Sequence, residues 1–394
     1  MQHKKNQHFS AVVVLAVILV TAGCNGCKNN GASGTNSGSS GNTILVGEYG
    51  SMTGSEAAFG ESTHDGIMLA VDEINKGGGV NGKQIEIVGP EDTESNTQKA
   101  EIAVKRLIEK KVVAVLGEVA SSRSRAGGAV CQKEQIPMIS PSSTNPTVTE
   151  VGDFIFRVCF IDPFQGGVIA KFAKDSLKAN TAAVFYDQGQ TYSVGIKDEF
   201  SKAFTGRGGR IVETAAYGAG DKDFKAQLTK LKSSNPDVII VAGYYTEGGA
   251  ISKQARDLGI TQPLIGGDGW SDAKFHEYAG DKVTNVFFSD HASVESPDPA
   301  IQKYVAAYKA KYTSKEPNSL GALGYDAMMV LADAMKRAKS LSGPDLRDAI
   351  AATKELPGAT GSISLNAQRN ADKGAVIIEV AGGKFKFKEA IDKL

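Results

Sequence analysis

Two serine-rich loops and one aspartate carry the chemistry this sequence offers. Ser121-Ser122 follows an apolar run and opens a helical segment, and Ser142-Ser143-Thr144 lies between Pro141 and Pro146 in a second loop. Hydroxyls and free amides at a helix N-terminus bind anions such as a carboxylate. Taken singly, the first pair is ordinary helix capping and the second ordinary turn chemistry. Asp268, between Gly267 and Gly269, is either a turn residue or a charge aimed at a ligand cation across a cleft. Tyr192 and Tyr244 stand in adjoining loops, where rings wall a pocket and hydroxyls donate hydrogen bonds.

No set of residues for catalysis emerges. His3 and His8 fall in the N-terminal segment, while His64, His276 and His291 are scattered. The folded body has no G-x-S-x-G elbow, no H-E-x-x-H and no grouped metal ligands. Gly77–Gly82 satisfies G-x-G-x-x-G, and with Lys83 it imitates a phosphate loop. It follows a helical stretch and precedes a strand, the reverse of a dinucleotide site, and Gln84 stands where Ser or Thr must hold magnesium. A non-enzymatic protein without cofactor or metal is expected.

The elements that must position these groups alternate. Short β-branched runs such as Ile44–Gly47, Val112–Leu116, Ala182–Tyr186 and Val238–Val241 are separated by longer amphipathic stretches such as Glu61–Lys76, Asn96–Lys110 and Glu247–Leu258. That pattern implies βαβ units and parallel sheets. The series falls into two runs, before and after Pro163, so two Rossmann-like halves are expected. In open α/β sheets ligands sit beyond the carboxyl ends of strands, where the serine loops, Asp268 and both tyrosines fall.

Composition agrees. The 394 residues exceed the ~250–300 at which a single core stops growing. The 44 basic and 44 acidic residues cancel, which gives no electrostatic footprint for nucleic acid. At the N-terminus Lys4 and Lys5 precede the apolar run Phe9–Val20. That run fits the ~7–15 residues of a signal-peptide core and falls short of the ~20 of a membrane span. It leads into Thr21-Ala22-Gly23-Cys24, which resembles a lipobox with Cys24 lipidated, although Thr21 replaces the usual Leu. Lys28–Asn42 is almost entirely Gly, Ser and Asn, a flexible tether. Cys24 and Cys27 form a C-x-x-C in leader and linker, without the strand and helix a redox motif needs. Cys131 and Cys159 are expected as packed small residues.

The order of several modest motifs resembles the branched-chain amino-acid-binding proteins, type I periplasmic solute-binding proteins of ABC transporters. The motifs include Val46–Gly54, Asp72-Glu73-Ile74-Asn75, Asn81-Gly82-Lys83, Ile136–Pro141, Phe156-Arg157, Tyr192–Gly195 and Gly324-Tyr325-Asp326-Ala327, and the resemblance covers nearly all of 44–380. It implies two Rossmann-like lobes joined by a three-crossover hinge. Residues 43–161 with 292–365 would form the first lobe and 162–291 with 366–394 the second, after a 1–23 leader and a 24–42 linker. It implies that Ser121 and Thr144 hold a ligand carboxylate with backbone contacts from Ser142, that Asp268 and Tyr244 hold its amine, and that Phe59 and Tyr192 line the cleft. Leu320 replaces a pocket phenylalanine, Ala120 a cysteine, and Glu118 is unexpected beside the pocket.

The expectation is an extracytoplasmic, membrane-anchored lipoprotein, monomeric and binding no nucleic acid. It captures a branched-chain or aliphatic amino acid and delivers it to the permease of an ABC importer. The alternative keeps the fold and binds an amide, urea or aromatic acid for import or sensing. A periplasmic enzyme is the more distant reading.

Overall fold

Aliphatic and β-branched runs become the strands of two separate sheets. The computed structural model describes residues 42–392 and 394. The expected leader, the lipidated Cys24 and all of the tether but Asn42 lie outside the described residues.

The first sheet is built by β1 (Thr43–Gly50), α1 (Ala57–Lys76), β2 (Gln84–Asp92), α2 (Thr97–Glu109), β3 (Ala114–Leu116), α3 (Ser121–Lys133), β4 (Met138–Ser140) and β5 (Ile155–Arg157). Its strands run parallel in the order β2-β1-β3-β4-β5. The second follows with α4 (Asp162–Lys171), β6 (Thr181–Asp187), α5 (Thr191–Gly206), β7 (Arg210–Tyr217), α6 (Lys225–Ser233), β8 (Val238–Ala242), α7 (Tyr245–Asp257), β9 (Leu264–Gly266), α8 (Phe275–Ala279) and β10 (Val286–Asp290). The chain then lays α9 (Pro299–Lys311), α10 (Ser319–Arg337) and α11 (Gly343–Ala351) against the first sheet's core. A short hairpin, β11 (Leu356–Gly358) and β12 (Gly361–Ile363), precedes β13 (Ala375–Ala381) and β14 (Lys384–Ile391).

The second sheet, in the order β14-β13-β10-β9-β8-β6-β7, is parallel only from β6 to β10. Beyond β10 two antiparallel strands extend the expected parallel sheet. β13 pairs antiparallel with β10 and β14 antiparallel with β13. Gly382 and Gly383, both at positive φ, make the two-residue turn that joins them. The chain passes between the two sheets three times, after β5, after β10 and before β13.

Inner strands such as β3 and β8 are buried on both faces, which is why they read as unbroken apolar runs, while the outer β2, β7 and β14 carry polar residues toward solvent. In the first lobe α1 and α10 cross closely because neither carries a side chain where they touch. A Cβ on Gly66 would overlap the Gly321 carbonyl, and one on Gly324 the Thr63 carbonyl. The core of the second lobe extends across the cleft to Phe59, Val119, Ala120 and Leu320 of the first. Cys131 and Cys159 are free and buried. Among the described residues no helix is long and apolar enough to cross a membrane.

Candidate functional site

The loops after β3 and β4 converge, and a buried scaffold of charge and hydroxyls holds them. Glu118, unexpected in the sequence, is the hub of this scaffold. Its Oε1 accepts from Ser51 Oγ (2.6 Å), Thr93 Oγ1 (2.9 Å) and Arg123 Nε (2.9 Å), and its Oε2 from the Ala120 amide (2.7 Å). Arg123, also buried, faces Glu56 at 3.0 Å. A buried carboxylate is tolerable only with such partners. Ser143 is not free to bind a ligand, because its Oγ lies 2.8 Å from the Val119 carbonyl and 2.7 Å from Ser124 Oγ and so ties one loop to the other. Arg157, whose guanidinium burial pushes down in pKa, braces the second loop. It donates to the carbonyls of Ser143 and Asn145, the latter at 2.9 Å.

With the scaffold accounted for, two hydroxyls remain. Ser142 Oγ and Thr144 Oγ1 are buried and have no hydrogen-bond partner among the described residues. Ser121 begins α3 at its first helical position, after Ala120, and its Oγ accepts from the Asn145 amide at 3.3 Å. Buried polar groups are nearly always paired, so a free pair in one loop marks a place for a partner.

Across the cleft, the second lobe supplies aromatic rings and the carboxylate. Tyr192 and Tyr244 stack with centroids 5.3 Å apart and planes 6° from parallel. Burial pushes both hydroxyls well above their ordinary pKa, so they stay protonated. Tyr192 Oη accepts from the Gly269 amide at 3.1 Å, whereas Tyr244 Oη has no partner among the described residues. The two glycines around Asp268 are required by this packing. A Cβ on Gly267 would strike the Tyr192 hydroxyl, and one on Gly269 the Tyr192 and Tyr244 rings. Asp268 follows β9 and is buried.

These groups meet in one small cavity between the lobes, with about 10 Å³ of room. Phe59, Val119, Ser142, Tyr192, Tyr244, Asp268, Gly269 and Leu320 line it. Five of the seven residues singled out in the sequence are therefore together there. Ser121 and Thr144 are not among the lining residues, although they belong to the same two loops. The walls are closed by contacts between the lobes. Phe59 meets Tyr244 edge to face, Ser122 Oγ lies 3.2 Å from Thr191 Oγ1, and Ser319 and Ser271 share a 2.6 Å hydrogen bond.

Sequence reasoning missed the residues that hold Asp268 and the hinge. Gln165 Nε2 donates to Asp268 Oδ1 at 2.8 Å, and His291 Nε2 lies 3.0 Å from its Oδ2. Asp162 sits where the chain first crosses between sheets, accepts from Asn145 Nδ2 at 2.8 Å, and is pushed by burial to a pKa of about 7. Asp290, at the second crossing, is pushed by burial to about 6 and accepts from Ser319 Oγ at 2.7 Å. Each is a lone residue with an everyday type in its local sequence. Only three-dimensional convergence distinguishes it. Among the described residues no three His, Cys, Asp or Glu side chains gather as a metal site would require.

A family model described as periplasmic binding protein matches residues 43–384. The leucine-, isoleucine-, valine-, threonine- and alanine-binding protein of Pseudomonas aeruginosa is 32% identical over 327 residues, 82% of this chain and 86% of that protein. A crystal structure of a leucine-binding protein from Thermotoga maritima is 40% identical, covers 89% of this chain and 99% of its own, and superposes with a TM-score of 0.84. The substrate-binding protein of a branched-chain amino-acid transporter from Streptococcus pneumoniae, solved with isoleucine, is 36% identical over 89% of this chain and 99% of its own, with a TM-score of 0.83.

Proposed function

The chain belongs to the periplasmic binding protein family, and from that premise we propose that it captures an aliphatic amino acid between its lobes and hands it to an ABC importer. The carrying observation is the polarity of the cavity, with the unpartnered Ser142 hydroxyl on the first lobe and the Asp268 carboxylate on the second. An amino acid carries opposite charges that suit those two ends. Ser142 and Thr144, with Ser121 at the start of α3, bind its carboxylate. Asp268 and the Tyr244 hydroxyl bind its ammonium. Phe59, Val119 and Leu320 leave an apolar remainder for the side chain.

In this form the cavity keeps only about 10 Å³ of room, so the lobes part to admit a ligand. The lobe contacts around it describe a closed form, so ligand binding works by closing two lobes about the three crossing segments. One relative is named for binding leucine, isoleucine, valine, threonine and alanine and another was solved with isoleucine, which supports a small, mostly aliphatic amino acid. Lipidation at Cys24 would tether the protein beside its permease, and the family membership makes an extracytoplasmic place the natural one.

A thermal-shift screen of amino acids, amides and aromatic acids tests the reading. Binding to the native state alone raises stability by about 2.7 kcal/mol at a hundredfold excess over Kd. Leucine, isoleucine or valine should give the largest shifts. A shift confined to amides or aromatic acids would reject the amino-acid reading.

A further inference from the structure

Beyond the cavity the lobes meet at a second polar contact, made by Ser62 and Asn318 of the first lobe and Asp272 of the second. Ser62 Oγ, in α1, donates to Asp272 Oδ2 at 3.2 Å. Asn318 Nδ2, just before α10, donates to the same oxygen at 3.3 Å and to Ser62 Oγ at 2.8 Å. None of the three lines the cavity. Ser271 and Ser319, the neighbours of Asp272 and Asn318, make the cross-lobe contact described above, so the polar seam continues along that edge.

Two of the three residues are held by their own lobe before they meet. Asn318 Oδ1 caps α10 by accepting from the Gly321 amide at 2.9 Å, which leaves its amino group for the other lobe. Asp272 Oδ1 accepts from the Lys274 amide at 2.9 Å, which leaves Oδ2 for the other lobe. Side chains fixed in this way lose little freedom when closing joins them. The first turn of α10 has no acidic residue, although a helix N-terminus favours a negative charge. Asp272 of the second lobe reaches that end through Asn318. Burial pushes the Asp272 carboxyl above its ordinary pKa, so each donor it keeps on closing matters.

The three residues also stand beside cavity walls. Ser62 follows Phe59 by one turn of α1, Leu320 comes two residues after Asn318, and Asp272 four residues after Asp268. Joining the polar contact and completing the cavity are therefore one motion.

We infer that Ser62, Asn318 and Asp272 form a clasp that holds the lobes shut, with Asp272 a positioning residue that raises affinity without touching the ligand. The inference goes beyond the amino-acid reading, since it holds for any ligand the lobes enclose. In the open form water takes the place of the cross-lobe partners. The clasp therefore slows the departure of ligand and leaves its entry unchanged.

A double-mutant cycle tests this, with leucine and valine binding followed by calorimetry and stopped flow. Ser62→Ala takes a donor from a buried carboxylate and should weaken binding about three- to tenfold. The loss should fall on the dissociation rate, by the same factor for both ligands. Asp272→Ser still caps its own turn and is too short to cross the cleft. In that background Ser62→Ala should cost little more, because its partner is gone. A serine that serves only the fold would cost the same in both backgrounds, and that result would overturn the clasp, as would no loss at all or a loss confined to one ligand. A second arm needs no ligand. In the doubly substituted Ser62→Cys/Asp272→Cys protein a short bifunctional thiol reagent should bridge the lobes, a product seen by mass that neither single variant forms. Bridging without any leucine or valine binding would keep the clasp and reject the amino-acid reading, whereas failure to bridge would overturn the clasp alone.

Discussion

Phe59 of the first lobe meets Tyr244 of the second edge to face, with ring centroids 5.3 Å apart and planes at 83°. The same ring also packs on Tyr245 at 5.1 Å, so one side chain seals the cavity against two on the opposing lobe. Such pairs contribute about 0.5–1.5 kcal/mol beyond the area they bury. Phe59→Ala should therefore weaken ligand binding by about tenfold or more, since it removes a wall and a latch together. Calorimetry with leucine would check the loss.

The unpartnered hydroxyl of Thr144 leads to a separation of binding from stability. A hydrogen bond to a charged group contributes about 1.5–3 kcal/mol. Thr144→Val should weaken amino-acid binding roughly tenfold or more and change the ligand-free melting temperature less, because Oγ1 makes no well-formed hydrogen bond and only steadies the Asp162 carboxylate. Decarboxylated analogues should bind native protein poorly. A large loss of ligand-free stability in the variant would show that the hydroxyl serves the fold.

Asp162 sets a pH-dependent term in stability. Burial raises its carboxyl from 3.8 to about 7, so the folded state holds that proton more tightly than the unfolded chain does. Stability from this group is full below the unfolded value, falls as pH rises from about 4 to about 7, and is level above. Asp162→Asn keeps an acceptor for Asn145 and removes the titration. Its denaturation midpoint should gain on that of native protein across this window and stop gaining beyond it. A constant difference at all pH values would contradict the shift.

Much of this architecture was legible in the sequence, and the reasons are local. The alternation of buried strands and amphipathic helices set the βα order, and the chain's length set two lobes. The loops after strands named four cavity residues, Ser142, Tyr192, Tyr244 and Asp268, because ligand sites follow strand ends in open sheets, while Phe59, in α1, came through the family resemblance alone. The antiparallel β13–β14 pair was missed although Gly382-Gly383 marks a two-residue turn, and three-residue β5 is too short to show a period. Gln165, His291 and Asp162 were illegible for another reason. Each becomes special only through a partner far along the chain, as with Gln165 and Asp268, 103 residues apart. Glu118 looked like an intruder beside the pocket until Arg123, Ser51 and Thr93 were seen around it.

The lipid anchor proposed at Cys24 is tested independently of the cavity. A single acyl chain gives marginal membrane binding, whereas several hold firmly. Cys24→Ser should abolish acylation and leave the precursor uncut, and native protein should partition with membranes. Native protein that is soluble and carries no lipid by mass spectrometry would reject the anchor while leaving the binding site as proposed.

The central claim is that Asp268 holds a ligand ammonium opposite the serine and threonine hydroxyls. Stripping a buried charge of its partner costs on the order of 3–5 kcal/mol, or roughly two to three orders of magnitude in affinity. The most direct measurement is a calorimetric titration of native and Asp268→Asn protein with leucine and with the acid that lacks its amino group. Native protein should bind leucine at least a hundredfold more tightly than the deaminated acid, and the substitution should erase most of that difference. Equal affinity of native protein for the two compounds, or tight binding of leucine by Asp268→Asn, would contradict the claim.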